Sequence, residues 1–201
     1  MEDLAGLIGL VQIGILEIHT WNAVVDRLEQ PDRLVFDLDP GDGVPWRDVV
    51  TGARTLRTHL RELGLESFLK TTGGKGLHLV VPIAAGPSWD DCLDFARSVA
   101  GTLARESPRA FTADVAKSER QGRIYLDYLR NARGATAVAA YSTRARPGAP
   151  VSTPLAWDEL GPRLRSDHFT VSTLPRRLAS LRGDPWEGYA GTRQAMPARR
   201  R

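Results

Sequence analysis

The chain of 201 residues is poor in cysteine, in lysine and in long uncharged apolar stretches. Its single cysteine, Cys92, excludes an intramolecular disulfide and a cysteine-based zinc site, and it fits a reducing cytoplasm. The apolar N-terminal stretch begins with Glu2 and Asp3 instead of the basic start of a signal peptide. Gln12 and Glu17 then interrupt it before it reaches membrane-spanning length. We therefore expect a cytoplasmic protein without a membrane partner.

Only three of the 27 basic residues are lysines, so arginine dominates the positive charge. The guanidinium fork fits phosphate oxygens, and a net charge of +3 permits a polyanionic partner without requiring one. The length and the 42% of hydrophobic residues suit one globular domain with a sizeable core. We assign residues 1–190 to that domain and residues 191–201 to a basic, flexible tail.

Helical and strand patterns alternate along the chain. Apolar residues at helical spacing predict a helix that starts at Leu4, a second over residues 45–63, a third that begins with a Ser88–Asp91 capping box, and a last one near Arg176–Leu181. Alternating patterns predict strands over residues 14–21, 33–39, 67–72, 77–83, 122–131 and 136–145. Several of these strands adjoin without a helix between them, which favours an α+β fold with a mixed or antiparallel sheet and flanking helices.

Two aspartates stand at the end of the strand over residues 33–39. Side chains two apart on a strand share a face, so Asp37 and Asp39 project together, away from Leu34, Phe36 and Leu38. Like charges so placed favour a neutralising cation, although a solvated strand end beside a turn has the same pattern. A third carboxylate, on the 122–131 strand, would join them if the two strands are neighbours.

That third carboxylate is Asp127, which lies in an otherwise apolar and aromatic strand. Three converging carboxylates are typical of phosphoryl transfer with two metal ions about 3.5–4 Å apart. Arginines surround Asp127 in sequence, as a polyanionic substrate would require: Arg120, Arg123, Arg130, Arg133, Arg144 and Arg146, together with Lys117.

The segment KTTGGKGLHLVV, residues 70–81, carries a second signal. Its glycines let the backbone approach a ligand, Thr72 offers a hydroxyl, Lys75 a positive charge, and His78 lies on the strand face of Gly76. The lysine precedes a strand instead of opening a helix, so this is not a Walker A loop. A phosphate-binding turn and a plain glycine-rich hairpin with an exposed lysine both fit the pattern.

These motifs together resemble a known family. The stretches EIHTW, RLVFDLDPGDGVPW, GLESFLKTTGGKGLHLVVPI, GRIYLDYLRNARGATAVAAYS and RARPGAPVSTPLAWDEL are similar to the polymerase domain of bacterial ligase D, of the archaeo-eukaryotic primase superfamily. The resemblance implies an RRM-like catalytic core. It also implies addition of nucleotides, often ribonucleotides, to DNA 3′ ends in double-strand break repair by non-homologous end joining.

The resemblance also implies roles for individual residues. As catalytic metal ligands it implies Asp37, Asp39 and Asp127, which would hold two Mn²⁺ or Mg²⁺ ions. As nucleotide-binding residues it implies Thr72, Gly74, Lys75, His78, His19, Arg120 and Arg144. Thr72 stands where the family usually has serine, which keeps the hydroxyl. The implied partners are DNA ends, nucleoside triphosphates, a Ku protein and a DNA ligase.

The family usually carries an N-terminal stretch before the first helix of this chain. The chain is therefore expected to be a stand-alone relic, half of a split gene, or a subunit whose further partner is a separate chain that supplies this stretch. Two other functions stay open at this point. One is a truncated, inactive module that binds nucleic acid, and the other is a D-x-D phosphatase with Asp37 as its nucleophile.

Overall fold

The computed structural model describes residues 3–197. Its four α-helices are α1 Leu4–Gln12, α2 Trp46–Glu62, α3 Trp89–Glu106 and α4 Leu174–Ser180. Its strands are β1 His19–Thr20, β2 Arg33–Pro40, β3 Phe68–Thr71, β4 Leu77–Pro82, β5 Phe111–Thr112, β6 Ile124–Asp127, β7 Ala137–Val138 and β8 Pro154–Leu155. Within residues 3–197 no helix is both long enough and apolar enough to cross a bilayer.

Six strands form the main sheet in the order β5-β6-β2-β4-β3-β8, in which only β5 and β6 run parallel. β1 and β7 form a separate antiparallel pair. β2 is the longest strand and lies between β4 and β6, so both of its edges are hydrogen-bonded. The α+β fold with a mixed, mostly antiparallel sheet is confirmed.

Helices α2 and α3 cover one face of the main sheet. The alternation of β2 places Leu34, Phe36 and Leu38 in this core, and all three are buried. The predicted capping box between Ser88 and Asp91 opens α3, and Gly64, at a φ of +78°, follows the end of α2. The helices therefore pack against the apolar side of β2, and its aspartates project from the opposite face.

The opposite face is partly covered by the C-terminal segment. Trp186 and Tyr189 pack against a small cluster that includes Val35 and Val80. Further along, the Gln194 amide accepts from the backbone N–H of Glu66 and donates to the carbonyls of Glu66 and Pro82. Gln194 belongs to the stretch assigned to the tail, of which residues 198–201 lie outside the described residues. The boundary at residue 190 stays a prediction.

Several predicted strands are shorter than expected. The 14–21 strand is reduced to His19–Thr20, the 136–145 strand to Ala137–Val138, and the 122–131 strand to Ile124–Asp127. In the last case a 3₁₀ turn over Leu129–Asn131 ends the pairing. Strands β5 and β8 were not predicted, because two residues are too few to show a period of two.

The first helix forms as predicted, but its apolar stripe is not buried. Asp3 caps α1 by accepting from the N–H of Gly6, and none of its residues is buried. Among residues 3–197, fifteen large apolar side chains are exposed, and ten of them lie between Leu4 and Leu28. This region, residues 4–28, is the N-terminal apolar surface.

Candidate active site

A row of four polar side chains crosses the middle of the main sheet. Lys70 of β3 lies opposite His78 of β4, and His78 lies opposite Asp37 of β2. Asp37 in turn lies opposite Asp127 of β6. Directly opposed residues of antiparallel strands project from the same face, so the four side chains follow one line. The strands of Asp37 and Asp127 are indeed neighbours, which was the condition for the carboxylates to converge.

The two carboxylates share one cation, the guanidinium of Arg130. Its Nε lies 3.2 Å from Oδ2 of Asp37 and 3.2 Å from Oδ2 of Asp127, and one of its Nη atoms lies 3.2 Å from the same Asp37 oxygen. Arg130 follows β6 in the 3₁₀ turn that ends the strand. This turn brings its side chain back over the pair.

Ionisation of the acidic centre depends on these neighbours. Burial would raise the pKa of Asp37, but His78, Arg130 and Lys70 together lower it. The pKa of His78 falls to about 4, first because the ring is buried and second because Lys70 is close, so His78 is neutral at physiological pH. Nε2 of His78 lies 3.3 Å from Oδ2 of Asp37. Asp37 is therefore a carboxylate held by a neutral imidazole and a guanidinium.

Asp127 and Asp39 behave as members of a crowded acidic group. Burial raises the pKa of Asp127, with a further increase from the charge of Asp37, against the opposing effect of Arg130. Burial and the charge of Asp37 likewise raise the pKa of Asp39. Both raised pKa values mean that additional positive charge nearby would stabilise the ionised form of each carboxylate.

The third aspartate is turned toward a different arginine. One Nη of Arg120 donates to Oδ2 of Asp39 at 3.2 Å, and the guanidinium lies over the ring of Tyr125, 3.9 Å from its centroid. Tyr125 is the residue opposite Asp39 in β6. The sequence placed Asp39 beside Asp37 on one strand face, and in the structure Asp39 pairs with Arg120 whereas Asp37 and Asp127 share Arg130.

The donor set fits a divalent cation between Asp37 and Asp127. Carboxylate oxygens are ligands that hard cations prefer, and these two already enclose a positive group. Over residues 3–197 as they stand, no three side chains of Asp, Glu, His or Cys are grouped closely enough to hold a metal ion. Asp39, the expected third ligand, is instead paired with Arg120 through Oδ2.

The glycine–lysine turn is braced by its own hydrogen bonds. The Thr72 hydroxyl is buried, donates to the Gly76 carbonyl at 3.1 Å, and accepts from the Gly74 N–H at 3.2 Å. A Cβ on Gly76 would lie 2.0 Å from the Leu38 carbonyl oxygen, so only glycine lets the turn approach β2. Thr72 thus shapes the turn. Lys75, whose side chain is 69% exposed and lies 3.8 Å from an Asp42 carboxylate oxygen, supplies the positive charge of the turn.

The turn forms one wall of a cavity of about 200 Å³ beside the carboxylates. Eight of the ten predicted site residues line it: His19, Asp37, Asp39, Thr72, Gly74, Lys75, His78 and Arg144. Asp127 is not among them and meets the cavity only through Arg130, which does line it. Arg120 instead lines the neighbouring groove, together with Asp39 and Lys75.

The opposite wall comes from the β1–β7 pair. His19 lies 2.9 Å from Glu17, and the Nε of Arg144 lies 3.1 Å from the same Glu17 oxygen. The hydrogen bond with His19 is the main reason why the pKa of Glu17 falls to about 2, with Arg144 contributing. Arg144 also donates to the Thr72 carbonyl at 2.7 Å, so it connects the two walls.

Three residues of this site were not identified from sequence. Glu17 had a usable signal, since it lies two residues from His19 on a predicted strand. Lys70 had one too, as a lysine inside an apolar strand. It is buried, it donates to Ser152 at 2.7 Å, and burial lowers its pKa to about 7. Arg130 stood among several arginines with nothing to single it out, because its place depends on the turn after β6.

The fold and this site define a primase–polymerase domain, and the chain belongs to the family described as "LigD, primase-polymerase domain", which it matches over residues 1–186. It is 48% identical over 199 residues to the multifunctional non-homologous end joining protein LigD of Pseudomonas aeruginosa, covering 98% of this chain and 24% of that protein. The bifunctional LigD of Bacillus subtilis is 30% identical over 178 residues, covering 88% of this chain and 29% of that protein.

A solved structure has the same fold. The polymerase domain of Mycobacterium tuberculosis ligase D, in complex with DNA, superposes with a TM-score of 0.85 at 33% identity. The match covers 93% of this chain and 67% of that domain. The chain thus spans about a quarter of the length of the first of these curated relatives and two thirds of the solved domain.

Proposed function

We propose that the chain is a metal-dependent nucleotidyltransferase that adds nucleotides, ribonucleotides among them, to a DNA 3′ end in double-strand break repair by non-homologous end joining. The observation that carries the proposal is the pairing of Asp37 with Asp127 across β2 and β6, beside a cavity with basic walls. Paired carboxylates next to a phosphate-sized basic cavity suit phosphoryl transfer better than hydrolysis of a small neutral substrate. The family match supports this reaction over the D-x-D phosphatase interpretation.

Each group of residues has a separate task in this proposal. Asp37 and Asp127, with Asp39 after release from Arg120, would hold Mn²⁺ or Mg²⁺. Two such ions, when bound, supply Lewis-acid stabilisation to the attacking and leaving oxygens. Lys75, Arg144 and the other basic groups of the cavity, which are His19, Arg130 and Arg146, would bind and orient the triphosphate.

Neutral His78 orients Asp37 without adding a charge of its own. Lys70 lies behind it in the sheet and is buried, so it acts on the site only through its field. The groove with Lys75, Lys117 and Arg120 shares Asp39 with the cavity, and the primer end would bind there.

The partners of the reaction are part of the same proposal. DNA ends and nucleoside triphosphates are the substrates, and Ku and a DNA ligase are the partners in repair. The description of the solved neighbour, a polymerase domain in complex with DNA, supports the first of these. The N-terminal apolar surface supports a further partner, a polypeptide that packs against it, as the family resemblance implies.

Primer extension tests the activity. With Mn²⁺, a ribonucleoside triphosphate and a duplex with a recessed 3′ end, we expect incorporation by the wild type. We expect Asp127→Ala to lose it while DNA affinity stays within about twofold, because a carboxylate does not attract DNA. Asp158→Ala, which removes an exposed carboxylate outside the site, is the matched control. Tight DNA binding without any incorporation by the wild type would instead indicate an inactive binding module.

A further inference from the structure

Arg130 occupies the one position from which a single group reaches both members of the carboxylate pair. Its side chain is 40% exposed, whereas those of Asp37 and Asp127 are only 11% and 14% exposed. Oδ2 of each aspartate has the guanidinium within 3.2 Å. The acidic pair therefore faces the protein's own cation on the side that opens to the cavity.

This arrangement has an electrostatic reason. Two carboxylates directly opposite each other in adjacent strands repel, and burial increases that repulsion. A guanidinium that bridges them neutralises part of the charge without a metal ion. Arg130 thus stabilises the fold when no other cation is bound.

The same position cannot hold two cations. Metal–oxygen bonds to carboxylates are short, about 2.0–2.1 Å for magnesium. An ion bonded to the two Oδ2 atoms from the cavity side, where the guanidinium lies, would overlap its nitrogens, which are 3.2 Å from those oxygens. Binding of Arg130 and binding of a bridging metal ion are therefore mutually exclusive.

We propose that Arg130 is the resident counter-cation of the Asp37–Asp127 pair and that a divalent cation must displace it. This inference rests on the proposed metal site. After displacement the side chain turns into the cavity, where Arg144 and Arg146 also project and where the triphosphate is proposed to bind.

Only the side chain needs to move. Its remaining hydrogen bond within the described residues is a long one of 3.4 Å to the Thr136 carbonyl. The backbone of the turn is held independently, because Asn22 donates to the Arg130 carbonyl at 3.0 Å and Asn131 donates to the Tyr128 carbonyl at 2.9 Å. Release of the guanidinium therefore leaves the turn and the strand pairing in place.

Displacement of Arg130 couples metal binding to nucleotide binding. A metal ion that binds without nucleotide leaves Arg130 without an anionic partner, so the apparent affinity of the site for the metal ion is reduced. A bound triphosphate offers the released guanidinium phosphate oxygens, which restores a charge-assisted contact. By reciprocity the same interaction strengthens nucleotide binding when metal is present.

Direct titration of Mn²⁺, followed by the electron paramagnetic resonance signal of the free ion, tests the proposal without nucleotide, DNA or turnover. We expect Arg130→Gln to bind Mn²⁺ about tenfold or more tightly than the wild type, since one competing charge is removed at contact distance. Arg130→Met is the second variant and should behave alike. Arg133→Gln removes an exposed arginine three residues away that pairs with Glu29, and its Mn²⁺ affinity should equal that of the wild type.

The sign of the change decides the outcome. If Arg130 only braces the carboxylates as ligands, both variants will bind Mn²⁺ more weakly, and weaker or unchanged binding overturns the proposal. A third outcome is that the wild type binds Mn²⁺, Asp127→Ala removes this binding, and the Arg130 variants bind no more tightly. That result supports the metal site and rejects the displacement of Arg130. If no variant binds Mn²⁺, both the metal site and the displacement are rejected.

The melting temperature gives an independent readout. Without metal the Arg130 variants should melt below the wild type, because the carboxylate pair has lost its cation. Saturating Mn²⁺ should raise their melting temperature by more than it raises that of the wild type. An equal or smaller rise contradicts the proposal.

Discussion

Asn131 connects the fold to the site, and its removal should be costly. Its side-chain oxygen accepts from the Val35 N–H at 2.8 Å, and its amide nitrogen donates to the Val35 carbonyl at 2.8 Å and to the Tyr128 carbonyl at 2.9 Å. The residue is 1% exposed. Asn131 forms the hydrogen bonds with Val35 that a further residue of β6 would form if the strand continued. Val35 lies two residues before Asp37 in β2. One side chain thus completes the hydrogen bonding of the central strand.

The magnitude follows from the groups that lose a partner. Asn131→Ala breaks these three hydrogen bonds and a longer one of 3.4 Å from the Asn22 amide, and it leaves the N–H and C=O of Val35 unpaired beside a buried strand. A lost hydrogen bond costs about 1 kcal/mol, and a stranded buried group costs about 1–3 kcal/mol, so the loss in free energy of unfolding should be about 3–5 kcal/mol. Asn131→Asp keeps the acceptor but lacks both donors, and it should lose a similar amount.

Urea unfolding followed by tryptophan fluorescence measures this loss. The control is Ser180→Ala at the exposed end of α4, where one hydroxyl donates to the Arg177 carbonyl at 2.8 Å, and its effect should stay within about 0.5 kcal/mol. A loss below about 1 kcal/mol for Asn131→Ala would refute the view that this amide acts as a substitute strand.

Two further predictions concern binding. Lys75→Ala should raise the KM for the nucleoside triphosphate about tenfold with a smaller effect on kcat, because one charged phosphate contact is lost. The control is Arg47→Ala, which removes an exposed cation of α2 outside the cavity and the groove, and an unchanged KM for Lys75→Ala would count against its role. Val11→Asp should abolish binding, measured by calorimetry, of a separately expressed LigD segment of the kind that the family resemblance places before the first helix. Val115→Asp, at an exposed valine elsewhere, should bind like the wild type, and equal binding by both variants would contradict docking at the N-terminal apolar surface.

Patterns that repeat within one segment were predictable from sequence. The alternation of residues 33–39 placed Asp37 and Asp39 on one face, and the Ser88–Asp91 spacing located the start of α3. That Asp127 is the partner of Asp37 could be inferred only conditionally. The two residues are ninety positions apart, and the sequence of neither segment indicates which strands are neighbours. The register between β2 and β6 supplied that missing fact.

Features that depend on contacts across the fold were not predictable. Arg130 reaches the carboxylates only because β6 ends at Asp127 and turns sharply. The stripe of α1 predicted a helix correctly, but periodicity cannot tell whether the surface it would pack against is part of the same chain. The Thr72 hydroxyl donates to the Gly76 carbonyl, a contact that the sequence did not indicate, and its role in nucleotide binding stays a prediction.

The central claim is that Asp37 and Asp127 hold a shared divalent cation beside a bound nucleotide. Anomalous scattering from crystals grown with Mn²⁺ and a non-hydrolysable nucleoside triphosphate measures this directly. We expect a manganese peak bonded to oxygens of both aspartates, with the Arg130 guanidinium moved away from them. Crystals in which the nucleotide is bound and Arg130 still bridges the two carboxylates, with no manganese between them, would contradict it.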